Sequence, residues 1–233
     1  MLPSERALAE RFAVSRPLVR EVLRGMQERG LIEVIPGRGA FVTRPSAMAG
    51  MRPMDAIYRR RSATPRHLVS ARAMLEQHAA ALAAASATSD DLAAMDRALT
   101  SFDAATGLLE RARSDIAFHF LVARASHNPV IETMFASIAG MVFELMLRSL
   151  DDPETVALGA PYHHKLYAAI RDRDAEAASR AAFGHLQVAQ HTYGQDMEEL
   201  LDTIARDRLE RFFGRTVNLD EVISAAIEEF LEH

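Results

Sequence analysis

Apolar residues at the start of the chain recur first at helical and then at strand spacing. Leu8 and Phe12 lie four apart, and Val19, Leu23 and Met26 form a second stripe with Val22 beside it. Ser4 and Ser15 stand where helix N-caps are expected, Pro17 falls in the first turn of the second helix, and Gly30 stands at its end. The pattern predicts one helix from Ser4 to about Phe12 and a second from Ser15 through Arg29. Leu31–Ile35 then reads as a strand, Pro36-Gly37-Arg38-Gly39 as a turn and Ala40–Thr43 as a returning strand.

From Pro65 onward the apolar period is helical throughout. It predicts helices over 66–86, 89–105, 108–126, 129–150, 161–172, 174–194, 196–213 and 219–231. The breaks between them fall at Ser89, Gly107, Asn128-Pro129, Asp152-Pro153, Gly159-Ala160-Pro161 and Asn218. Asn218 with Glu221 reads as a capping box. Residues 44–62 hold Pro45, Gly50 and Pro53 and read as a linker that becomes helical near Met54. The expected fold is mainly α: a helix-turn-helix with a small β-hairpin, followed by an all-helical antiparallel bundle. The boundaries are 1–45 for the first domain, 46–64 for the linker, 65–195 for the bundle and 196–233 for a helical C-terminal extension. An apolar stripe at Val222, Ile223, Ala226, Ile227 and Phe230 suits packing of the last helix on the body or on a partner subunit.

Charge sharpens this picture. The net charge of the 233 residues is −5, yet residues 1–45 carry +3 and residues 46–62 another +3, leaving −11 for the rest. A basic front on an acidic body suits a front that meets a polyanion. There is no cysteine, hence no disulfide and no thiolate metal site. No run of about 18 uncharged apolar residues is present, and Glu5, Arg6, Glu10 and Arg11 interrupt any leader-like start. A cytoplasmic protein without membrane partners is expected.

Arg16, Arg20 and Arg24 recur every four residues, on a face of the second helix away from the Val19/Leu23/Met26 stripe. Arginine suits guanine edges and phosphates, and Ser15 with the helix N-terminus suits a phosphate. The same spacing is also that of a solvated helix face with Glu21 and Glu28 nearby. The segments LPSERALAERFAVSRPLVREVL and ERGLIEVIPGRGAFV, however, resemble the winged-helix domain of the GntR family of bacterial transcription regulators. The resemblance covers residues 2–43 and implies DNA contacts by Arg6, Ser15, Arg16, Pro17, Arg20, Gly37, Arg38 and Gly39. Leu18 stands where the family often has a small polar residue, which puts one contact in doubt. Family domains also begin with a helix and a short strand ahead of the LPSER segment, which here follows Met1 directly. Without that cover, an apolar patch at Leu8, Phe12 and Leu23 is expected to be exposed, at a cost on the order of a few kcal/mol, and DNA binding is expected to be weakened.

A second constellation lies in the helical body. Asp115 and His119 are four apart on one predicted helix. His163 and His185 each stand eleven residues from Asp174, in the hinge run Arg171-Asp172-Arg173-Asp174. If the chain folds back there, both lie about 16 Å from the hinge at 1.5 Å per residue, and so at one level. Three imidazoles and a carboxylate can hold a divalent first-row ion with positions left for a ligand. Spacing alone also allows unrelated, separately satisfied histidines. The segments ARAMLEQHAAALAA, SDIAFHFLVARASHNPVI and HHKLYAAIRDRDAEAASRAAFGHL resemble the FCD effector domain of the FadR subgroup. That resemblance implies a metal at Asp115, His119, His163 and His185, zinc first, with nickel or manganese as alternatives. It also implies a small carboxylate or sugar-acid effector beside the metal. Arg72, which matches a recurrent family arginine, is then the expected partner of the effector carboxylate, with Arg148 second. For either arginine the alternative is a salt bridge to an acidic neighbour such as Glu76 or Glu144.

The sequence thus reads as a transcription regulator rather than an enzyme. It is expected to be a repressor, acting as a homodimer on double-stranded operator DNA under effector control. Two alternatives stand beside this reading. One is a metal-dependent, hydrolase-like enzyme using a His3Asp site, which lacks a fixed Glu of the HExxH kind. The other is a ligand-binding relic with impaired DNA binding.

Overall fold

Ser4 and Ser15 both act as caps. Ser4 Oγ accepts from the Ala7 amide at 3.2 Å, and Ser15 Oγ accepts from the Leu18 amide at 3.4 Å. They open α1 (Glu5–Phe12) and α2 (Arg16–Glu28), which are joined by a turn with Ala13 in the left-handed region. β1 (Ile32–Ile35) and β2 (Gly39–Val42) follow as an antiparallel hairpin in which Ile32 faces Val42 and Ile35 faces Gly39. Gly37 (φ 74°) and Gly39 (φ 103°) occupy backbone conformations that side chains resist, which is why the turn between the strands is built on glycine. This computed structural model describes residues 1–43, 47–201, 203, 210, 212 and 219–231. Arg44, Pro45 and Ser46 at the linker start, half of the helix expected over 196–213, and the Asn218 cap lie outside the described residues. The described start of that span is a short 3-10 helix, Gly194–Glu198, followed by non-helical Glu199 and Leu200, and not the start of a long helix.

The chain divides between Ala49 and Gly50 into two units. In the first, Ala9, Val19 and Ile32 are buried, while Leu23 and Met26 are half-buried. Phe12, in the patch expected from sequence to be exposed, is 64 % exposed. Leu2, Leu8, Phe12, Leu18, Val22 and Leu23 are among the residues lining an open apolar groove of about 430 Å³.

The second unit is helical. α3 (Met51–Arg60) starts three residues ahead of the position expected from sequence and buries Met51. α4 (Pro65–Ser86), α5 (Ser89–Ala104), α6 (Leu108–Ala125), α7 (Pro129–Ser149), α8 (Pro153–Arg171) and α9 (Ala175–Tyr193) form the bundle. α4 packs on α9, α6, α7 and α8, α5 on α6, α6 on α7, and α8 on α9. α6 and α7 are the core, with nearly every side chain from Ser114 to Ala123 and from Phe135 to Leu147 buried. α7 is long and apolar enough to cross a membrane, but most of it is buried inside the protein. A final helix, α10 (Leu219–Glu228), packs on α6 and α7 and contributes Ile223, Ala226 and Ile227 to the core.

A chain break read from the sequence is also corrected. Gly159-Ala160-Pro161 does not break the chain, because α8 begins at Pro153 and carries Pro161 inside it. The start signal is Asp152, whose carboxylate accepts from the Glu154 amide and the Thr155 hydroxyl, with Pro153 at the first helical position. Packing against α9 holds the helix through a proline that removes one backbone bond. The two helices approach closely at Gly184, where any side chain would collide with the Tyr162 ring.

Candidate metal centre

Three helices bring four side chains to one point. α6 presents Asp115 and His119 one turn apart on its buried face. The α8–α9 hairpin, turned by Asp172–Asp174 with Arg173 in the left-handed region (φ 64°), brings His163 opposite His185 with ring centroids 4.3 Å apart. His119 lies 4.9 Å from His185 and 5.2 Å from His163, centroid to centroid. One ligand atom from each of Asp115, His119, His163 and His185 falls within 4.8 Å of the others.

The donor atoms test whether these residues fit a metal. Asp115 Oδ1, His119 Nε2, His163 Nε2 and His185 Nδ1 are all buried without a hydrogen-bond partner. Asp115 Oδ1 stands 3.1 Å from His163 Nε2 and 3.4 Å from His119 Nε2. Unsatisfied buried polar atoms are costly, and four converging on one point fit a divalent cation better than any contact among themselves.

Electrostatics divide the cluster. Burial works against the Asp115 carboxylate, but His163 and His119 outweigh it and hold its pKa well below the usual range. Burial, with His163 and His119 close by, pushes His185 well below an ordinary imidazole, so it stays neutral as a ligand must. Burial also lowers His119, yet the negative charge of Glu76, which accepts from His119 Nδ1, together with the nearby Asp115 carboxylate, overcomes this and raises it to about 9. Glu76 was read from sequence only as a salt-bridge partner for Arg72. In the fold it does both, with Oε1 on Arg72 Nε at 2.5 Å and Oε2 on His119 Nδ1 at 2.7 Å. Burial opposes its charge, but Arg72 and His119 hold it far below the carboxylate range.

Beside the cluster is a small cavity, with about 30 Å³ of room for the centres of water-sized atoms. Phe102, Met146, Val156 and Val188 give it apolar walls, and Thr155 and Tyr193, whose hydroxyls donate to Asp152 and to the Leu145 carbonyl, also line it. Arg72 is 1 % exposed, and its Nη2 is buried without a partner at this wall. Arg148 is not among the lining residues; its guanidinium pairs with Asp196 at 3.0 Å. Glu144 pairs instead with Arg59 of α3, at 2.6 Å.

The first unit carries the sequence-expected DNA residues on its surface. Arg6, Ser15, Arg16, Pro17, Arg20, Gly37, Arg38 and Gly39 are all exposed. Arg20 is held by Glu5 of α1 through both Nε and Nη2, Arg24 by Glu28, and Arg6 by Glu10. Leu18 is 46 % exposed among them.

Comparison with known proteins gives two family matches. Residues 67–188 match the FCD domain, and residues 1–42 match the gntR family of bacterial regulatory proteins. The chain is 31 % identical over 199 residues to the Glc operon transcriptional activator of Escherichia coli K12, covering 81 % of this chain and 78 % of that protein. It is 34 % identical over 189 residues to the galactonate operon transcriptional repressor of the same organism, covering 78 % and 82 %. The regulator LutR of Bacillus subtilis is 29 % identical over 85 % of this chain and 93 % of its own. Among solved structures, a GntR protein of Streptococcus agalactiae shares the fold with TM-score 0.62 at 23 % identity, over 82 % of this chain and 88 % of that one.

Proposed function

The chain belongs to the GntR family of bacterial transcription regulators, with an FCD effector domain, and on that premise we propose that a metal-anchored small carboxylate or sugar acid controls its affinity for operator DNA. Regulation of transcription through DNA is the shared activity of its relatives. Asp115, His119, His163 and His185 would hold a divalent ion, zinc first and nickel or manganese second. When bound, that ion supplies a Lewis-acidic anchor for carboxylate oxygens. Arg72 Nη2 takes the remaining carboxylate oxygen as a charge-assisted donor. The apolar walls exclude water and strengthen both contacts. The observation that carries this reading is the convergence of four partnerless donor atoms within 4.8 Å, beside a partnerless buried guanidinium nitrogen.

The route from effector to DNA is read through α7. Met146, Ser149 and Leu150 of this helix line the cavity, and Glu144 on the same helix receives Arg59 of α3. α3 also seats Met51 against Gly140, and it is the first long helix after the DNA-binding unit in the chain. A shift of α7 would therefore move α3. Coupling on the order of 1–3 kcal/mol is enough for a useful switch. The protein acts in this reading as a homodimeric repressor, two recognition helices meeting two half-sites. Arg16, Arg20 and Arg38 meet DNA, with Arg20 exchanging Glu5 for a phosphate or base.

A hydrolytic role is less well supported. Among the described residues lining the cavity, Asp115 is the sole carboxylate, and it is engaged as a ligand candidate. No separate carboxylate is left there to act as a general base. The test is direct. DNA enriched on the protein from a random pool supplies the operator, and its affinity is measured with and without metal and small carboxylates. A relic with impaired DNA binding would enrich no sequence.

A further inference from the structure

Glu76 stands between two groups that the proposed function uses, and it is bonded to both. Oε1 accepts from Arg72 Nε and Oε2 from His119 Nδ1, and all three side chains are buried. The pairing has a consequence at each end. An ionised carboxylate only accepts, so Nδ1 of His119 must carry a proton. The coordinating lone pair is thereby assigned to Nε2, the nitrogen that faces Asp115 and the cluster. At the other end, engaging Nε fixes the plane of the Arg72 guanidinium. Its Nη2 is then left at the cavity wall without a partner. α4 supplies Arg72 and Glu76 one turn apart and α6 supplies His119, so a single carboxylate ties two helices at the site.

We propose that Glu76 is the positioning residue of this centre, setting the ligating nitrogen of His119 and aiming the Arg72 fork with the same carboxylate. The proposal rests on the metal-and-effector reading above. Removing such an outer partner of a ligating histidine costs 10–100-fold in metal affinity as a rule. Here one substitution should weaken both the metal and the carboxylate.

The test uses Co2+ as the metal and acetate as the smallest carboxylate probe. Glu76→Gln keeps the shape but turns an amide NH2 toward one of the two donors. Its Co2+ affinity should fall about 10–100-fold. The acetate concentration that half-shifts the Co2+ absorption bands of the loaded protein should rise. Changes under about twofold in both would overturn the proposal. Because this variant leaves the Arg72 charge buried and uncompensated, a second measurement uses the wild-type protein loaded with Zn2+. Nitrogen NMR of the imidazoles should show His119 ligating through Nε2 with a slowly exchanging Nδ1 proton; ligation through Nδ1 overturns the assignment. A wild-type protein that takes up no Co2+ refutes the metal reading itself, whereas uptake with an unaffected Glu76→Gln variant refutes the role of Glu76 alone.

Discussion

His163 and His185 face each other across the α8–α9 hairpin with ring centroids 4.3 Å apart, one on each arm and each eleven residues from Asp174. Two helices folded at one hinge thus deliver two imidazoles at the same level. A third helix, α6, completes the set with Asp115 and His119.

His185→Ala should remove one of four ligands and most of the bound metal. Elemental analysis should find about one ion per wild-type chain and a small fraction of that in the variant. A ligand present at 100 times its dissociation constant stabilises the folded state by about 2.7 kcal/mol. Added Zn2+ should therefore raise the Tm of the wild type by several degrees and leave the variant unmoved. Equal shifts in both would argue against His185 as a ligand.

The pKa of His119 sets the pH dependence. Glu76 and Asp115 raise it to about 9, above the ordinary value of 6.5. In metal-stripped protein the imidazolium therefore contributes stability that is complete below about pH 6.5 and is lost as pH rises through about 9. Metal needs the Nε2 lone pair, so binding must expel that proton. Affinity for Co2+ should accordingly tighten by about tenfold per pH unit between pH 7 and 8.5, with close to one proton released per ion. Calorimetry in buffers of different ionisation enthalpy counts the protons, and a pH-independent affinity would contradict the assignment.

Arg59 joins α3 to buried Glu144 on α7 and is itself only partly exposed. Arg59→Ala should destabilise the protein by roughly 2–3 kcal/mol, below the ~3–5 for breaking a wholly buried pair. Denaturant unfolding reads that loss. The same variant should keep its metal affinity while its DNA affinity stops responding to effector. An intact response would remove α3 from the proposed route.

On the DNA side, Arg20→Ala should leave thermal stability unchanged, because its pair with Glu5 is exposed. Binding to the selected operator should weaken about tenfold or more. If Arg20 meets a phosphate, the dependence of log K on log salt should also fall by about one. An unchanged slope with relaxed base preference would place it on a base edge instead.

Much of this was legible in the sequence, for identifiable reasons. The Asp115–His119 spacing follows from the helical repeat alone. The meeting of His163 and His185 follows from a hinge placed midway between them. Pro161 misled because its neighbours Gly159 and Ala160 imitate a break, and packing on α9 overrides that local signal. Glu76 was visible as the i+4 neighbour of Arg72, but its bond to His119 joins residues 43 positions apart and needs the α4–α6 packing to exist. Arg148 was singled out as a cation near the site, and the fold pairs it with Asp196, a partner 48 residues away. The exposed apolar patch at Leu8, Phe12 and Leu23 was legible too, and in the fold these three line one open groove.

The central claim is that effector acts on DNA affinity through the metal held by Asp115, His119, His163 and His185. Fluorescence anisotropy with the selected operator tests it most directly, comparing zinc-loaded and metal-stripped protein across a panel of small carboxylates and sugar acids. At least one compound should change operator affinity by about 5–150-fold in the loaded protein and have no effect on the stripped protein or on His185→Ala. No response to any compound, or an equal response in loaded and stripped protein, would contradict the claim.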